Sequence, residues 1–187
     1  MSHREPHAIP LPRESCIEAV YGQPNLADAY AMDLPPGTTR DPEVLARFIF
    51  AHQPRWVADL MEVRDSCVSL LGLKTGRSLR SADGRRERIG IFKVYESGPL
   101  EVIVGEDDKH LDFRASVLYR AADGPAVTAS IVLSTVVHCH NALGRTYLWL
   151  IAPFHRLVVQ SFLRQAATIG WPRENAGSSS APPRAGG

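Results

Sequence analysis

The residue types able to do chemistry fall first in two places. The stretch "GEDDKHLDFR" carries His110, Asp112 and Arg114, and "HCH" carries His138 and His140. In each, the side chains stand two apart, and on a β-strand that spacing puts them on one face. If the loop at Asp123-Gly124-Pro125 closes tightly, with Ala122 opposite Ala126, His110 lies against His138 and Asp108 against His140. Imidazoles and carboxylates converging in this way form the ligand inventory of a zinc or iron site. They equally form a charge and hydrogen-bond cluster that holds two strands in register, or a polar face for a partner. The cluster is the preferred reading, and no metal is expected.

The opposite face of the same strands is apolar. Leu111, Phe113, Ala115, Val117 and Tyr119 alternate against Val127, Ala129, Ile131, Leu133, Thr135 and Val137. Small residues leave room there and hydroxyls sit among apolar neighbours, the mixture found in small-molecule pockets. Phe113, Ala115, Leu133, Thr135, Tyr147 and Phe154 are the expected lining of a cavity that binds a small, largely apolar molecule. In an enzymatic alternative of the cyclase, isomerase or hydrolase kind, Tyr147 and His155 act as proton donor and acceptor. Cys67 and Cys139 occupy positions read as buried, where thiols are inert. The chain contains no GxSxG, HExxH, P-loop or CxxC pair, and no cofactor is expected.

These residues need elements to position them. "ADAYAMDL", residues 27–34, alternates as a first strand. Asp41-Pro42-Glu43 starts a helix to about His52: the Asp carboxylate caps free amides, and Pro at the first helical position loses no needed donor. Pro54 opens a second helix in which Trp56, Leu60, Val63, Cys67 and Leu70 or Leu71 recur at helical spacing, with Gly72 as its stop. From Arg88 the period changes to two, giving "RIGIFKVYES", "LEVIVGEDD", "HLDFRASVLYR" and "AVTASIVLSTVVHCH" as an antiparallel meander.

The last segment reads as one helix from Asn141 kinked at Pro153, in preference to a strand over 147–151 followed by a helix. Leu143, Tyr147, Leu150, Ile151, Phe154, Leu157, Val158 and Phe162 share its apolar face, with Arg145, Trp149, Arg156 and Gln160 opposite. The expected fold is α+β, an antiparallel sheet curved around a long C-terminal helix, with two short helices after the first strand.

A chain of 187 residues that is 44% hydrophobic suits one domain, placed at 25–170 between an extended arm at 1–24 and a disordered tail at 171–187. The formal net charge of +1 gives no reason to expect nucleic acid, and the basic run at 85–88 reads as a solvated loop. Three cysteines far apart fit a reducing compartment, and no apolar run is long enough for a membrane span, so a cytoplasmic location is expected.

Three segments, "GEDDKHLDFR", "LGRTYLWLIAPFHRLVV" and "PRWVADLMEVRDSCVSLLGLK", together resemble the bacterial domain-of-unknown-function family 2867, across about residues 26–168. The resemblance implies a helix-grip fold like that of START-related lipid-transfer proteins, pollen-allergen-like proteins and polyketide cyclases. Some similar domains follow an NAD(P)-binding Rossmann domain. This chain has no GxGxxG after a strand, which argues against a direct cofactor role; as an interaction module, its His110, Asp112, Arg114 and His138 face is expected to meet a separate NAD(P)-binding protein or, in a homodimer, a second copy.

Overall fold

Among the described residues, seven strands pair antiparallel throughout in the order β1-β2-β7-β6-β5-β4-β3. They are β1 (His7–Ile9), β2 (Leu26–Asp33), β3 (Arg88–Ile89), β4 (Phe92–Ser97), β5 (Glu101–Asp107), β6 (Leu111–Arg120) and β7 (Ser130–Cys139). Helix α1 (Pro42–Ala51) follows β2, and α2 (Ala142–Ile169) follows β7. The computed structural model describes residues 5–57, 59, 88–124 and 127–174. Arg55, Trp56 and Val57 begin the expected second helix; the rest of that helix, Cys67, most of the basic run and the tail from 175 lie outside the described residues.

The core forms where the inner face of the sheet meets both helices. Tyr30 and Met32 of β2, Val102 and Val104 of β5, Val117 of β6 and Ile131 and Leu133 of β7 pack against Leu45 and Ile49 of α1 and Val159, Leu163 and Ala166 of α2. Helix α1 starts as its sequence dictates: the Asp41 carboxylate accepts the Glu43 and Val44 backbone N–H groups, with Pro42 at the first helical position. Helix α2 is continuous through Pro153, and the Asn141 side chain caps it by accepting the Gly144 N–H at 3.0 Å.

Several expectations need correction. Residues 88–97 form a hairpin, not one strand, because Gly90 (φ 63°) turns the chain between β3 and β4. The β6–β7 connection is also longer than a tight turn. Pairing stops at Arg120 opposite Ser130, and the Ala129 carbonyl accepts instead from the Leu34 N–H. The register therefore slides by two residues, setting Asp112 opposite His138, while His110 meets His140 through the His140 N–H to His110 carbonyl bond. A two-residue slide keeps every side chain on its predicted face.

At the N-terminus, the expected arm contributes β1 to the sheet edge and buries Ile17 completely against Ile103 and Val136 on the outer face. At the other end, residues 171–174 belong to the fold: Trp171 is buried in the core, and Arg173 bridges Thr38.

Helix α2 is buried against the sheet near both ends and only partly covered between them. Gly144, Tyr147 and Leu148 are buried near its start and Val158, Val159, Leu163 and Ala166 toward its end, whereas none of residues 149–157 is buried. The first anchor depends on Gly144, where an added Cβ would land on the His110 carbonyl oxygen. Helix propensity alone favours Ala over Gly by about 1 kcal/mol. The close approach reverses the sign, so Gly144→Ala should lower stability by about 1–3 kcal/mol in urea unfolding. An unchanged or raised midpoint would show that α2 does not sit this close to the β5–β6 turn.

Candidate functional site

Where α2 stands off the sheet, an open groove of about 550 Å³ runs between the start of β2 and the helix, lined by Asn25, Leu26, Arg145, Leu148, Trp149, Ala152, Pro153 and Arg156. Its floor is apolar and two guanidiniums flank it. Neither Arg145 nor Arg156 makes an ion pair among the described residues, and α2 contains no Asp or Glu to neutralise them. Pro153 removes the N–H that would serve the Trp149 carbonyl, leaving a polar backbone group in the same stretch of helix. Trp149 is 78% exposed. Cys139 packs against Leu26 and Leu148, and burial pushes its thiol up although Arg145 pulls the other way, so it stays protonated.

Two titratable side chains meet beside the groove. His155 Nε2 lies 3.4 Å from Asp28 Oδ1, a charge contact not aligned as a hydrogen bond, and both side chains are mostly buried. Neither oxygen of the Asp28 carboxylate has a hydrogen-bond partner among the described residues. Asp28 follows Leu26 on the inner face of β2, and His155 stands one turn after Ala152 on α2, so groove-lining residues precede both. Thr135, buried, sits between Asp28 and Ala115 in the register. Tyr30, next on the same face, is also buried; burial and then the Asp28 charge push its phenol up, while Gln160 and Arg156 work in the opposite direction.

The residues expected to line a cavity are distributed differently. Leu133 belongs to the main core, with Ala115 packed against it, and Phe113 stacks edge-on against Phe92 at 5.4 Å between ring centroids. Tyr147 packs against Leu111 and Ile151. Phe154 points outward, 49% exposed, as do Leu150 and Leu157, because α2 is apolar over more of its circumference than the sheet can cover. None of the six lines the groove. Tyr147 and His155 are eight residues apart, about 12 Å along the helix axis; His155 meets Asp28, while Tyr147 packs against Leu111 and Ile151. Asp28 was missed, although Leu26-x-Asp28-x-Tyr30-x-Met32 places a carboxylate on a core-facing stripe and could have flagged it.

On the outer face, the predicted polar residues engage one another. Asp112 pairs with His140 Nε2 at 3.0 Å and accepts the Asp108 backbone N–H. His138 stacks between Tyr21 of the arm and His140. The Asn141 amide contacts His110 Nδ1 at 3.0 Å. Arg114 donates to Asp107 Oδ1 at 2.7 Å and lies 3.6 Å over the Tyr95 ring, whose hydroxyl donates to the other Asp107 oxygen. Among the described residues, no group of three or more His, Cys, Asp or Glu is arranged to hold a metal ion.

Burial alone would raise the Asp107 carboxyl, but the Arg114 and Tyr95 hydrogen bonds outweigh it and hold it below the ordinary carboxylate range. A depressed carboxylate contributes stability above its unfolded pKa and loses it as pH falls through the folded value. Asp107→Asn should therefore cost about 0.5–1 kcal/mol at pH 7, a value discounted for a half-exposed pair. The gap from wild type should close below about pH 4. Thermal melts at both pH values check this, and a gap independent of pH would contradict it.

Residues 20–162 match the profile of a protein family of unknown function, DUF2867. That is well over half of the chain, which belongs to this family. No curated protein and no solved structure matches it. Among the described residues, no helix is long and apolar enough to cross a membrane.

Proposed function

We propose that this member of the DUF2867 family binds a small, largely apolar molecule carrying an anionic group, in the groove between the start of β2 and α2. We also take the sheet and its long C-terminal helix to be a helix-grip fold of the START and polyketide-cyclase kind. The order of elements supports that kinship, which by itself names no ligand.

The observation that carries the binding reading is the groove itself: about 550 Å³, floored by Leu26, Leu148, Trp149, Ala152 and Pro153, with Arg145 and Arg156 at its sides. That volume suits a single small molecule. The apolar lining supplies affinity, and planar guanidiniums without carboxylate partners among the described residues recognise an anionic head by paired N–H donors. The outer face of His110, Asp112, Arg114 and His138 offers less to a protein partner, because contacts within the chain already occupy it. The free thiols of Cys16 and Cys139 support a reducing, cytoplasmic setting.

Native mass spectrometry of the protein purified from its own host, beside a denatured sample that releases anything bound, tests the reading. The expected result is a retained molecule of a few hundred daltons with an acidic group. Arg156→Glu and Arg145→Glu should each weaken its rebinding roughly 10- to 100-fold, the range for losing a charge-assisted contact. A bare mass, with no small molecule rebinding from the host extract, would overturn the proposal.

A further inference from the structure

Beside the groove lies a carboxylate–imidazole contact that binding alone does not require. A buried Asp carboxylate with no donor on either oxygen among the described residues is costly, and the imidazole of His155 lies in contact with it. A proton on Nε2 is the arrangement that best serves Asp28, and it leaves Nδ1 of the neutral ring with its lone pair. This is how a carboxylate fixes the tautomer of an imidazole base and stabilises the imidazolium formed when that base takes a proton. Tyr30 stands two residues after Asp28 on the same face of β2, and burial and then the Asp28 charge push its phenol up, so it keeps its proton. Arg156 adjoins His155 in the chain and lines the groove. Burial pushes the Cys139 thiol up, which disfavours thiolate attack at this residue.

We propose that His155 is a catalytic base and Asp28 its positioning residue, acting on a small apolar carboxylic acid in which a carbonyl adjoins an acidic C–H. The inference rests on the groove reading above. Arg156 and Arg145 hold the carboxylate, and the apolar body lies on Leu148, Trp149 and Pro153. The C–H bond beside the carbonyl breaks and its proton passes to Nδ1. Its electron pair becomes the C=C bond of an enolate as the carbonyl π pair moves onto oxygen, where the Tyr30 hydroxyl or the Arg156 guanidinium stabilises it. The imidazolium then returns the proton to the same or the conjugated carbon, so the outcome is exchange or isomerisation with no oxidant or reductant.

Phenylpyruvate, which combines an aromatic body, a ketone and a carboxylate, serves as the probe. Loss of its methylene proton signal in D₂O is followed by NMR, and its binding by quenching of Trp149 fluorescence. The wild-type protein should accelerate exchange by at least about 100-fold over buffer. His155→Gln should return it to the buffer rate while still binding. Asp28→Asn should lower kcat about tenfold or more with KM nearly unchanged, a split that a merely structural loss would not give, and Asp28→Glu should recover part of it.

Binding with exchange at the buffer rate, or full exchange by His155→Gln, would overturn the base assignment and leave the groove reading standing. Failure of phenylpyruvate to bind, while native mass spectrometry still finds a retained molecule, would overturn the substrate class alone. A bare protein in both experiments would overturn both.

Discussion

Helix α2 is buried against the sheet near its two ends and only partly covered between them, and the candidate site lies in that interval. At one end, Asn141 caps the helix and Gly144 lets it approach the His110 carbonyl closely enough for Tyr147 and Leu148 to be buried. At the other, Val159, Leu163 and Ala166 join the main core. Two fixed ends separated by residues 149–157 leave the middle of the helix as a bridge over the edge of β2. Pro153 falls inside that bridge, where a missing backbone donor costs least because no tight packing depends on it. The groove, the exposed Trp149 and the Asp28–His155 contact all lie in the same interval.

The treatment of charge elsewhere makes the site stand out. Glu106, nearly fully buried, is held by Lys93 at 2.9 Å and Arg88 at 3.9 Å. Glu101 accepts from the Ser15 and Ser116 hydroxyls and from the Cys16 backbone N–H, which fastens the N-terminal arm to the outer face. Arg114, Asp107 and Tyr95 form a closed set. Each of these carboxylates has donors in place, as burial in a low-dielectric interior demands. Among the described residues Asp28 has an imidazole at 3.4 Å and no hydrogen-bond donor. Buried polar groups left short of partners are more often tied to what a protein binds than to what holds it together.

Much of the architecture was legible because it follows from local chemistry. Asp41-Pro42-Glu43 specifies a helix start whatever surrounds it, and strict alternation in "LDFRASVLYR" fixes two faces even when the partner register is unknown. The register itself was not legible. It depends on how far pairing runs before the chain turns away, and Ala129 leaves β7 to serve Leu34. The helix was read as one element from Asn141 kinked at Pro153, and one helix does run from Ala142 to Ile169, yet its exposed and buried apolar residues could not be told apart, because Leu150, Phe154 and Leu157 are chemically equivalent to Tyr147 and Val158 on a wheel. Only the position of the sheet edge decides which are covered. For the same reason His155 was found and its partner was not: a contact between β2 and α2 joins residues more than a hundred positions apart.

The central claim is that the middle of α2 and the start of β2 hold a small molecule. Protein labelled with 5-fluorotryptophan reports on this directly, since Trp149 lies in the groove and Trp171 in the core. After denaturing extraction and refolding, the molecule released from the native protein is titrated back and followed by fluorine NMR. The account predicts that the Trp149 resonance, assigned from a Trp149→Phe variant, shifts in a saturable way while that of Trp171 stays in place. A Trp149 resonance indifferent to the titration, or one that moves only together with Trp171, would contradict it.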